Sequence, residues 1–325
     1  MALHATPGRL RLHGLALLVL GATGSAHSQG LPAYRPINPA ITSRSALGFD
    51  PVGETRKGWQ TAIRVDYGNV LEAQTRTVAD YLLDAELSRI NLSIGRTQGR
   101  WHLQGDLPLE SAQSGALDPF ITWWHGVFGF DEGRRDERPE NQYEYFIQFP
   151  DQVRVVRPLP GTSLGDLRIS AGYRHGADWM TTLIAAFPTN TRPDGWGLEA
   201  VAMGLQTAAR RWLVPDRLGW EGSAGLGYSP RAGSLARWQR TWFASASSGL
   251  RWRFWGRQSV YSNLLFHTGA WRGTTLQSLD RPDLSLDFGF LLKAGDGPEI
   301  LAGMVEDLYP FGPAVDLVLR LGVRW

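Results

Sequence analysis

Residues 314–325 decide the fold, and they read A-V-D-L-V-L-R-L-G-V-R-W. Apolar side chains occupy every second position: Val315, Leu317, Leu319, Leu321, Val323 and Trp325. The alternate positions include Asp316, Arg320 and Arg324. A period of two residues is that of a β-strand, because successive side chains of a strand point to opposite faces. The sequence therefore predicts a final strand with one fully apolar face.

A fully apolar strand face is unusual at the end of a soluble chain, because chain ends are commonly exposed and loosely held. The last strand of a soluble β-sandwich is the alternative explanation. An outer-membrane β-barrel requires this pattern, since alternate residues face lipid and an aromatic residue lies at the interface. The pattern recurs along the chain, so we favour the barrel and expect Trp325 to mark the end that directs membrane insertion.

The composition agrees with a barrel and excludes other classes. The chain has 14 Trp among 325 residues, as aromatic belts at two membrane interfaces would require. It lacks the run of roughly 20 apolar residues that a membrane helix needs. A net charge of +2 gives no argument for nucleic-acid binding. The absence of cysteine excludes disulfides, thiol catalysis and cysteine metal sites.

The chain divides into three parts. Residues 1–28 have the features of a cleaved signal peptide, because positive charge precedes the short apolar run 15–20 and small residues follow it. Residues 29–58 are rich in Pro and Gly and predict an irregular periplasmic or lumenal segment. Residues 59–325 would then form the barrel, and we expect a location in the Gram-negative outer membrane.

Alternating patterns predict strands along this third part. We place them at 59–67, 80–95, 101–110, 164–175, 178–187, 196–208, 218–228, 240–254, 258–269, 283–293, 299–307 and 314–325. Short and longer connections alternate, as do the periplasmic turns and outer loops of outer-membrane barrels. Residues 111–163 are then one long outer loop of an antiparallel up-and-down barrel with about 12 strands. A hairpin within 143–158 that joined the wall would raise the count to about 14.

One predicted strand changes its phase. Leu83 and Leu87 are odd-numbered, whereas Ile90 and Ile94 are even-numbered. If all four face lipid, an extra residue must be inserted between the two halves, as in a β-bulge. The sequence therefore predicts a bulge near residue 88.

The loop 111–163 contains a short predicted helix, residues 118–129. Asp118 is a good N-cap, Pro119 suits the first helical position, and Gly129 can end the helix. One apolar face follows helical spacing and comprises Phe120, Trp123, Trp124 and Val127. The loop therefore carries an amphipathic helix.

Two positions for this helix remain open. Trp123 and Trp124 could pack the helix onto the rim of the barrel, with the following charges in solvent. Alternatively, the helix folds into the mouth, where Trp123, Trp124 and His125 form a constriction or binding site. Arg134 and Arg135 would then line the entrance, and arginine is suited to bidentate capture of phosphate or carboxylate.

The same segment resembles the signature of an uncharacterised family of Gram-negative exported proteins. The matching positions are Gly115, Leu117, Asp118, Phe120, Ile121, Trp124, His125, Phe128, Gly129, Gly133, Arg135 and Pro139. The end of the chain is similar too, at Glu306, Asp307, Asp316, Leu321, Gly322, Arg324 and Trp325. The family is a domain of unknown function, so the resemblance implies an exported barrel and no particular activity.

The sequence gives little support for catalysis. The common zinc-protease, serine-hydrolase and P-loop motifs are absent. His125, with Ser111, Ser114 and Asp118 nearby, could suggest an outer-membrane lipid hydrolase. However, Gly126 follows His125 where outer-membrane phospholipases carry an Asp, so we favour a packing role. We expect no enzyme, no catalytic residue, no metal and no cofactor.

Charged residues should line the lumen. The inward positions include Asp106, Arg168, Arg174, Arg251, Arg253, Asp287 and Arg320. Their signs are mixed, so they either pair across a filled interior or line water. Open aqueous channels have about 16 strands, so a wide general porin is not expected.

The leading hypothesis for function is narrow passive passage or binding of a small solute, gated by the loop 111–163. The alternative is a non-conducting structural or surface-interaction barrel, and a lipid hydrolase comes third. The expected partners are outer-membrane lipid, the barrel-assembly machinery through the C-terminal strand, and a small solute.

Overall fold

The structure is a computed structural model. It describes residues 30–52, 57–76, 79–129, 138–149, 154–157, 161–191, 196–293, 295, 297–309, 312–313 and 315–325. The expected signal peptide, residues 1–28, lies outside the described residues, and so do Arg134 and Arg135.

The described residues are mostly strands, with a few short helices. The strands are β1 Gly58–Arg76, β2 Ala79–Gln98, β3 Trp101–Gln113, β4 Glu144–Gln148, β5 Arg154–Arg157, β6 Gly161–Leu164, β7 Leu167–Arg174, β8 Trp179–Phe187, β9 Ala202–Val214, β10 Leu218–Tyr228, β11 Trp242–Trp255, β12 Gln258–His267, β13 Asp283–Lys293, β14 Glu299–Asp307 and β15 Leu317–Arg324. The α-helices are α1 Pro39–Thr42, α2 Asp118–Phe128 and α3 Gln277–Asp280. A 3₁₀ turn spans Ala236–Trp238.

The strands close into an antiparallel barrel of 12 strands. The first strand, β1, pairs with β2 on one side and with the last strand, β15, on the other. Both β6 and β7 pair with β3, so together they fill one position in the wall. Closure leaves the ring of 12 strands without a free edge, as a membrane-spanning sheet requires. The predicted fold class is confirmed.

The hairpin considered within 143–158 exists as β4 and β5. Strand β4 pairs with residues 80–84 of β2, beyond the part of β2 that pairs with β3. Strand β5 then pairs with β4. Because β2 and β3 still pair directly over 13 positions, the hairpin adds two extra strands without entering the closed ring. The count of 12 is therefore correct.

The two ends of the barrel differ in their connections. At one end, here called the short-turn end, the connections are brief: 99–100, 175–178, 215–217, 256–257 and 294–298. At the opposite, long-loop end, the connections include the excursion from residue 114 to residue 160 and the loop 268–282. This alternation is the predicted one.

The outward face of the wall is apolar. Ile63, Val65, Leu103, Leu205 and Leu321 are among its exposed side chains. Aromatic residues lie near the edges of this surface. Trp59, Trp101, Trp179 and Trp252 are exposed near the short-turn end, and Tyr228 and Trp242 near the long-loop end. An apolar band between aromatic belts is the surface that a lipid bilayer requires.

The predicted bulge near residue 88 is wrong. Strands β1 and β2 pair without a register shift from Gly58–Thr97 to Arg76–Ala79. Leu83 and Leu87 are odd-numbered and point inward with Arg89, whereas Leu92 and Ile94 are even-numbered and exposed. The inward face itself changes from polar to apolar, because the long-loop half of the lumen contains an apolar core.

Candidate functional site: a plugged barrel lumen

Residues 30–52, here called the plug, occupy the interior of the barrel. The plug starts at Gly30 near the short-turn end, reaches α1 in the long-loop half, and returns to Val52. Tyr34 and Phe49 join its two arms through a pair of backbone hydrogen bonds, 3.2 and 2.8 Å long. Most of its side chains are buried. The predicted irregular segment is therefore lumenal over these residues.

Glu221 on β10 binds both ends of the plug. Its carboxylate accepts the backbone N–H of Leu31 at 2.7 Å and that of Val52 at 2.5 Å. The carboxylate is buried, so these bonds supply the partners that a buried charge requires. One strand side chain thus brings the entry and the exit of the plug together.

Arginines of the wall bind the backbone carbonyls of the plug. The bonds are Arg64 Nη1 to Ala33 O at 3.1 Å, Arg320 Nη2 to Ala33 O at 2.7 Å, Arg89 Nη1 to Pro36 O at 2.7 Å, Arg168 Nε to Ala46 O at 3.2 Å, and Arg251 Nη1 to Gly30 O at 3.3 Å. An irregular buried segment cannot pair all its carbonyls with itself, and unpaired buried carbonyls are costly. The inward arginines satisfy them.

Ion pairs connect the same arginines to acidic side chains. Arg320 lies 3.1 Å from Asp66 and 2.5 Å from Asp287, measured between nitrogen and carboxylate oxygen. Arg35 of the plug donates to Asp106 at 2.7 Å. Pairs of this kind offset the cost of burying charge only when their hydrogen bonds are complete. The mixed signs of the lumen therefore hold a filled interior together.

Asp50 of the plug completes this cluster. It accepts a hydrogen bond from Arg168 and lies 3.8 Å from Arg35. Burial by itself raises the pKa of the Asp50 carboxyl, but the two guanidinium groups outweigh burial and bring the pKa below its usual value. Asp50 is therefore ionised at neutral pH, and the plug keeps its charged contact with the wall.

Glycines on inward faces make room for plug leucines. A Cβ added at Gly204 or Gly227 would lie 2.7 Å from Cδ2 or 3.0 Å from Cγ of Leu47, respectively. A Cβ added at Gly249 would lie 2.7 Å from Cδ1 of Leu31. The two distances of 2.7 Å are closer than real Cβ contacts, and the distance of 3.0 Å is tighter than most of them. The plug thus fits the wall sterically as well as electrostatically.

A cavity of about 120 Å³ remains between the plug and the short-turn end. Its lining is mixed. It includes Gln60, Arg64, Ser93, His102, Gln104, Thr182 and the apolar Val52, Leu291 and Leu301. This volume could hold a few water molecules or part of a small solute.

The long-loop half of the lumen is closed by an apolar core. Phe149, which follows β4, stacks on Trp238 with ring centroids 3.7 Å apart. Tyr145 of β4 packs edge-on against Trp196 at 5.6 Å. Trp271 donates its indole N–H to Ala40 O of the plug at 2.7 Å. The β4–β5 hairpin therefore helps cover the mouth, and the core continues into the plug.

The predicted lumen residues divide into two groups. The first group is buried and holds the plug: Asp106, Arg168, Arg251 and Arg320 bond to it directly, and Asp287 bonds to Arg320. The other two, Arg174 and Arg253, lie near the short-turn end, where Arg253 stacks over Trp212 at 5.4 Å. The first group holds the plug, so its members do not line an open pore in this structure.

Helix α2 lies on the outside of the wall. His125 Nε2 is 3.5 Å from Glu306, and Asn69 donates to Asp118 at 2.7 Å. Asn69 and Glu306 have the parity of the exposed Val65 and Ile300 on their strands, so they point away from the lumen.

The buried face of α2 is Asp118, Ile121 and His125, whereas Trp123 is 58% exposed. Trp123 therefore points away from the wall, whereas Trp124 is half-buried with its indole nitrogen beside Glu306, so of the two tryptophans only Trp124 packs the helix against the barrel. In this structure Trp123, Trp124 and His125 form no constriction of the lumen, because the helix contacts outward-pointing residues.

Sequence reasoning missed several residues of the site. Arg64 and Arg89 share the parity of recognised inward residues, so alternation could have identified them. The partners of Glu221 give no signal in the sequence, because they are backbone N–H groups 190 and 169 positions away. Within the described residues, no group of His, Asp and Glu is arranged to hold a metal. No helix of that part is long and apolar enough to cross a membrane.

Comparison with known proteins establishes the family. The model of DUF3187, a protein family of unknown function, matches residues 17–325, so the chain belongs to that family. The predicted resemblance to an uncharacterised family is confirmed. A search of curated proteins found no significant match.

One solved structure shows a similar fold, and two further matches have lower scores. The COG4313 outer membrane channel from Pseudomonas putida F1 has a TM-score of 0.54 at 14% identity, over 85% of this chain and 98% of that one. The NanC porin has a TM-score of 0.45 at 8% identity, over 81% and 98%. The Pseudomonas putida toluene transporter TodX has a TM-score of 0.41 at 8% identity, over 90% and 96%.

Proposed function

We propose that the chain is an outer-membrane channel for a small solute, closed in this structure by its own N-terminal plug. The observation that carries the proposal is the way the wall holds the plug: charged side chains bind carbonyls at five points without any shared strand ladder. Such contacts can be exchanged for water one at a time.

The outward surface supports a location in the outer membrane. An apolar band with tryptophans near its edges, on a closed antiparallel barrel, is suited to lipid on all sides. The fold it shares with an outer membrane channel agrees with this location. The short turns would then face the periplasm, and the plug would be reached from that side.

One continuous barrier separates the two ends of the lumen. The plug, held by Glu221 and the inward arginines, contributes Leu47 and Phe49 to the apolar core of the long-loop half, so release of the plug also opens that core. The β4–β5 hairpin of the 111–163 loop contributes Tyr145 and Phe149 to the same core. Gating by that loop, as predicted, would therefore act through the hairpin, and the helix would have no direct part in it.

Conductance of the refolded full chain in planar bilayers tests the proposal. Glu221→Ala removes the acceptor shared by both ends of the plug and should produce discrete openings that the wild type shows rarely. Ser223→Ala is the matched control, since Ser223 lies on the same face of β10 and its hydroxyl bonds at 2.8 Å to Ser247, a residue of the wall.

Silence of the Glu221→Ala protein, with an intact barrel by circular dichroism, would overturn the channel proposal. It would favour the alternative of a non-conducting structural barrel. Equal conductance in the Glu221→Ala and Ser223→Ala proteins would mean that the plug is not the barrier.

A further inference from the structure

Helix α2 crosses four neighbouring strands on the outside of the barrel. Four residues are paired in one row across these strands: Glu86 of β2, Asn69 of β1, Leu317 of β15 and Glu306 of β14. No register shift interrupts these pairings, so all four keep the outward parity of the exposed Leu92, Val65, Leu321 and Ile300 on their own strands.

Polar contacts fix the helix over this row. Glu86 accepts the backbone N–H of Leu117, Asp118 accepts from Asn69, and His125 faces Glu306. Leu317, in the middle of the row, is fully buried, and Ile121 of the helix is fully buried too. The carboxylates would be costly to bury without these partners, so the contacts bind α2 firmly to the wall.

The opposite face of α2 carries exposed aromatic residues, and Phe120 and Trp124 at its edge are half-buried. Phe120, Trp123, Trp124 and Phe128 form a continuous cluster, in which the rings of Trp124 and Phe128 lie 4.3 Å apart. Trp123, Val127 and Phe128 are each more than half exposed. A helix bound by polar groups to a protein wall thus presents a strongly apolar surface outward.

The height of this surface on the barrel indicates what covers it. Trp59 marks the short-turn edge of the apolar band on β1, and Asn69 lies ten residues further along the same strand. At about 3.3 Å per residue and a tilt of about 40°, this separation is roughly 25 Å along the barrel axis, the height of the apolar band in outer-membrane barrels. The aromatic cluster is therefore continuous with the upper edge of the lipid-facing surface.

We propose that α2 lies in the interface of the outer leaflet, with its aromatic cluster against the acyl chains and lipid headgroups. Amphipathic helices with Trp and Phe on one face lie in this position, and tryptophan is enriched there. The helix would widen the lipid contact of one side of the barrel and brace the seam between β1 and β15. The inference rests on the membrane location proposed above and goes beyond the channel function.

Spin labels can measure the depth directly, because the chain contains no cysteine. Val127→Cys places a label on the exposed face of α2. Leu264→Cys, on the outward face of β12, reports lipid, and Glu140→Cys, exposed near the long-loop end, reports water. Each full-length protein is placed in vesicles of phosphatidylethanolamine and phosphatidylglycerol. Collision with oxygen is then compared with collision with a water-soluble nickel chelate.

We expect the oxygen-to-nickel ratio at residue 127 to be several-fold higher than at residue 140 and below that at residue 264. A ratio at 127 equal to that at 140, with 264 still in lipid, would overturn the inference and leave the membrane location intact. A water-like ratio at 264 would overturn both. Dipolar broadening at 127 that disappears on dilution with unlabelled protein would mean that a second copy covers this face, and would also overturn the inference.

Discussion

The plug and helix α2 pack against opposite faces of the same wall, and they are held in different ways. The plug is largely irregular, so its carbonyls must be satisfied by the wall, and arginines donate to them at five points. Helix α2 satisfies its own backbone by helical hydrogen bonds. It needs only a cap for its first turn and partners for one face, which Glu86, Asn69 and Glu306 provide.

The difference shows how the same strands serve two environments. Inward positions carry guanidinium groups, because the irregular backbone inside offers oxygen acceptors. Outward positions under α2 carry groups that match the helix: Glu86 accepts the backbone N–H of Leu117, Asn69 donates to Asp118, and Glu306 faces His125. Changes inside should therefore affect both stability and closure, whereas changes outside should affect only the attachment of the helix.

The largest effect is expected for Arg320→Met. This change leaves the buried Asp66 and Asp287 without their guanidinium partner, and breaking buried pairs costs about 3–5 kcal/mol. Urea unfolding in detergent micelles would measure the loss. Arg96→Met is the control, since Arg96 is exposed and lies over Trp59; equal losses in both variants would contradict the role of Arg320.

A smaller effect is expected for Leu47→Ala, which empties the space between Gly204 and Gly227. Truncation of a buried leucine to alanine costs about 2–5 kcal/mol, and here the loss should fall on docking of the plug. Hydrogen exchange of plug amides should become faster. Leu205→Ala on the outward face of β9 should leave that exchange unchanged, and faster exchange there as well would indicate general loosening of the barrel.

Gly115→Ala tests the attachment on the outside. A Cβ at residue 115 would overlap the Glu86 carboxylate, so Glu86 must move and release Leu117. We expect a cost of about 1–3 kcal/mol, as for overpacking, and faster proteolysis near α2 with the plug still protected. A Cβ at residue 126 meets no atom within 4 Å, so Gly126→Ala should not increase proteolysis. Equal cleavage rates in the Gly115→Ala and Gly126→Ala proteins would contradict the close packing of Gly115 against Glu86.

The smallest effect on stability is expected for Trp325→Ala. Trp325 donates its backbone N–H to Thr61 at 2.9 Å, and its side chain is half-buried. Loss of the ring should change the free energy of unfolding by less than about 1 kcal/mol, as is usual away from a packed core. We still predict a lower yield of assembled barrel in cells, measured by heat-modifiable mobility, because the C-terminal strand should contact the assembly machinery. An unchanged yield would contradict a role of Trp325 in barrel assembly.

Most of the fold could be predicted from alternation, since a period of two residues reports directly on which face is apolar. The sequence does not report how the lumen is filled. The inference of a bulge failed for this reason: Leu83 and Leu87 are apolar because they contact a core inside the barrel, which looks the same in sequence as contact with lipid.

Part of the site could be predicted as well. The lumen arginines follow from parity, but their partners are plug carbonyls, which no sequence pattern marks. The helix was predicted, but Asp118 is its first residue and not its N-cap, and the Asp118 carboxylate accepts from Asn69 of the wall instead of capping the helix. The orientation of the helix was not predicted, because the buried face contains Asp118 and His125 and the exposed face is aromatic. The two segments that carried the family resemblance meet in space, at His125 and Glu306.

If release of the plug opens the lumen, an engineered disulfide that ties the plug to the wall should close the lumen again. A Cβ at Gly227 would lie 3.0 Å from Cγ of Leu47, so Leu47→Cys with Gly227→Cys brings two sulfur atoms within bonding reach. In the Glu221→Ala background, conductance should appear when the disulfide is reduced and cease when it is oxidised. Conductance that is the same in both states would contradict the account.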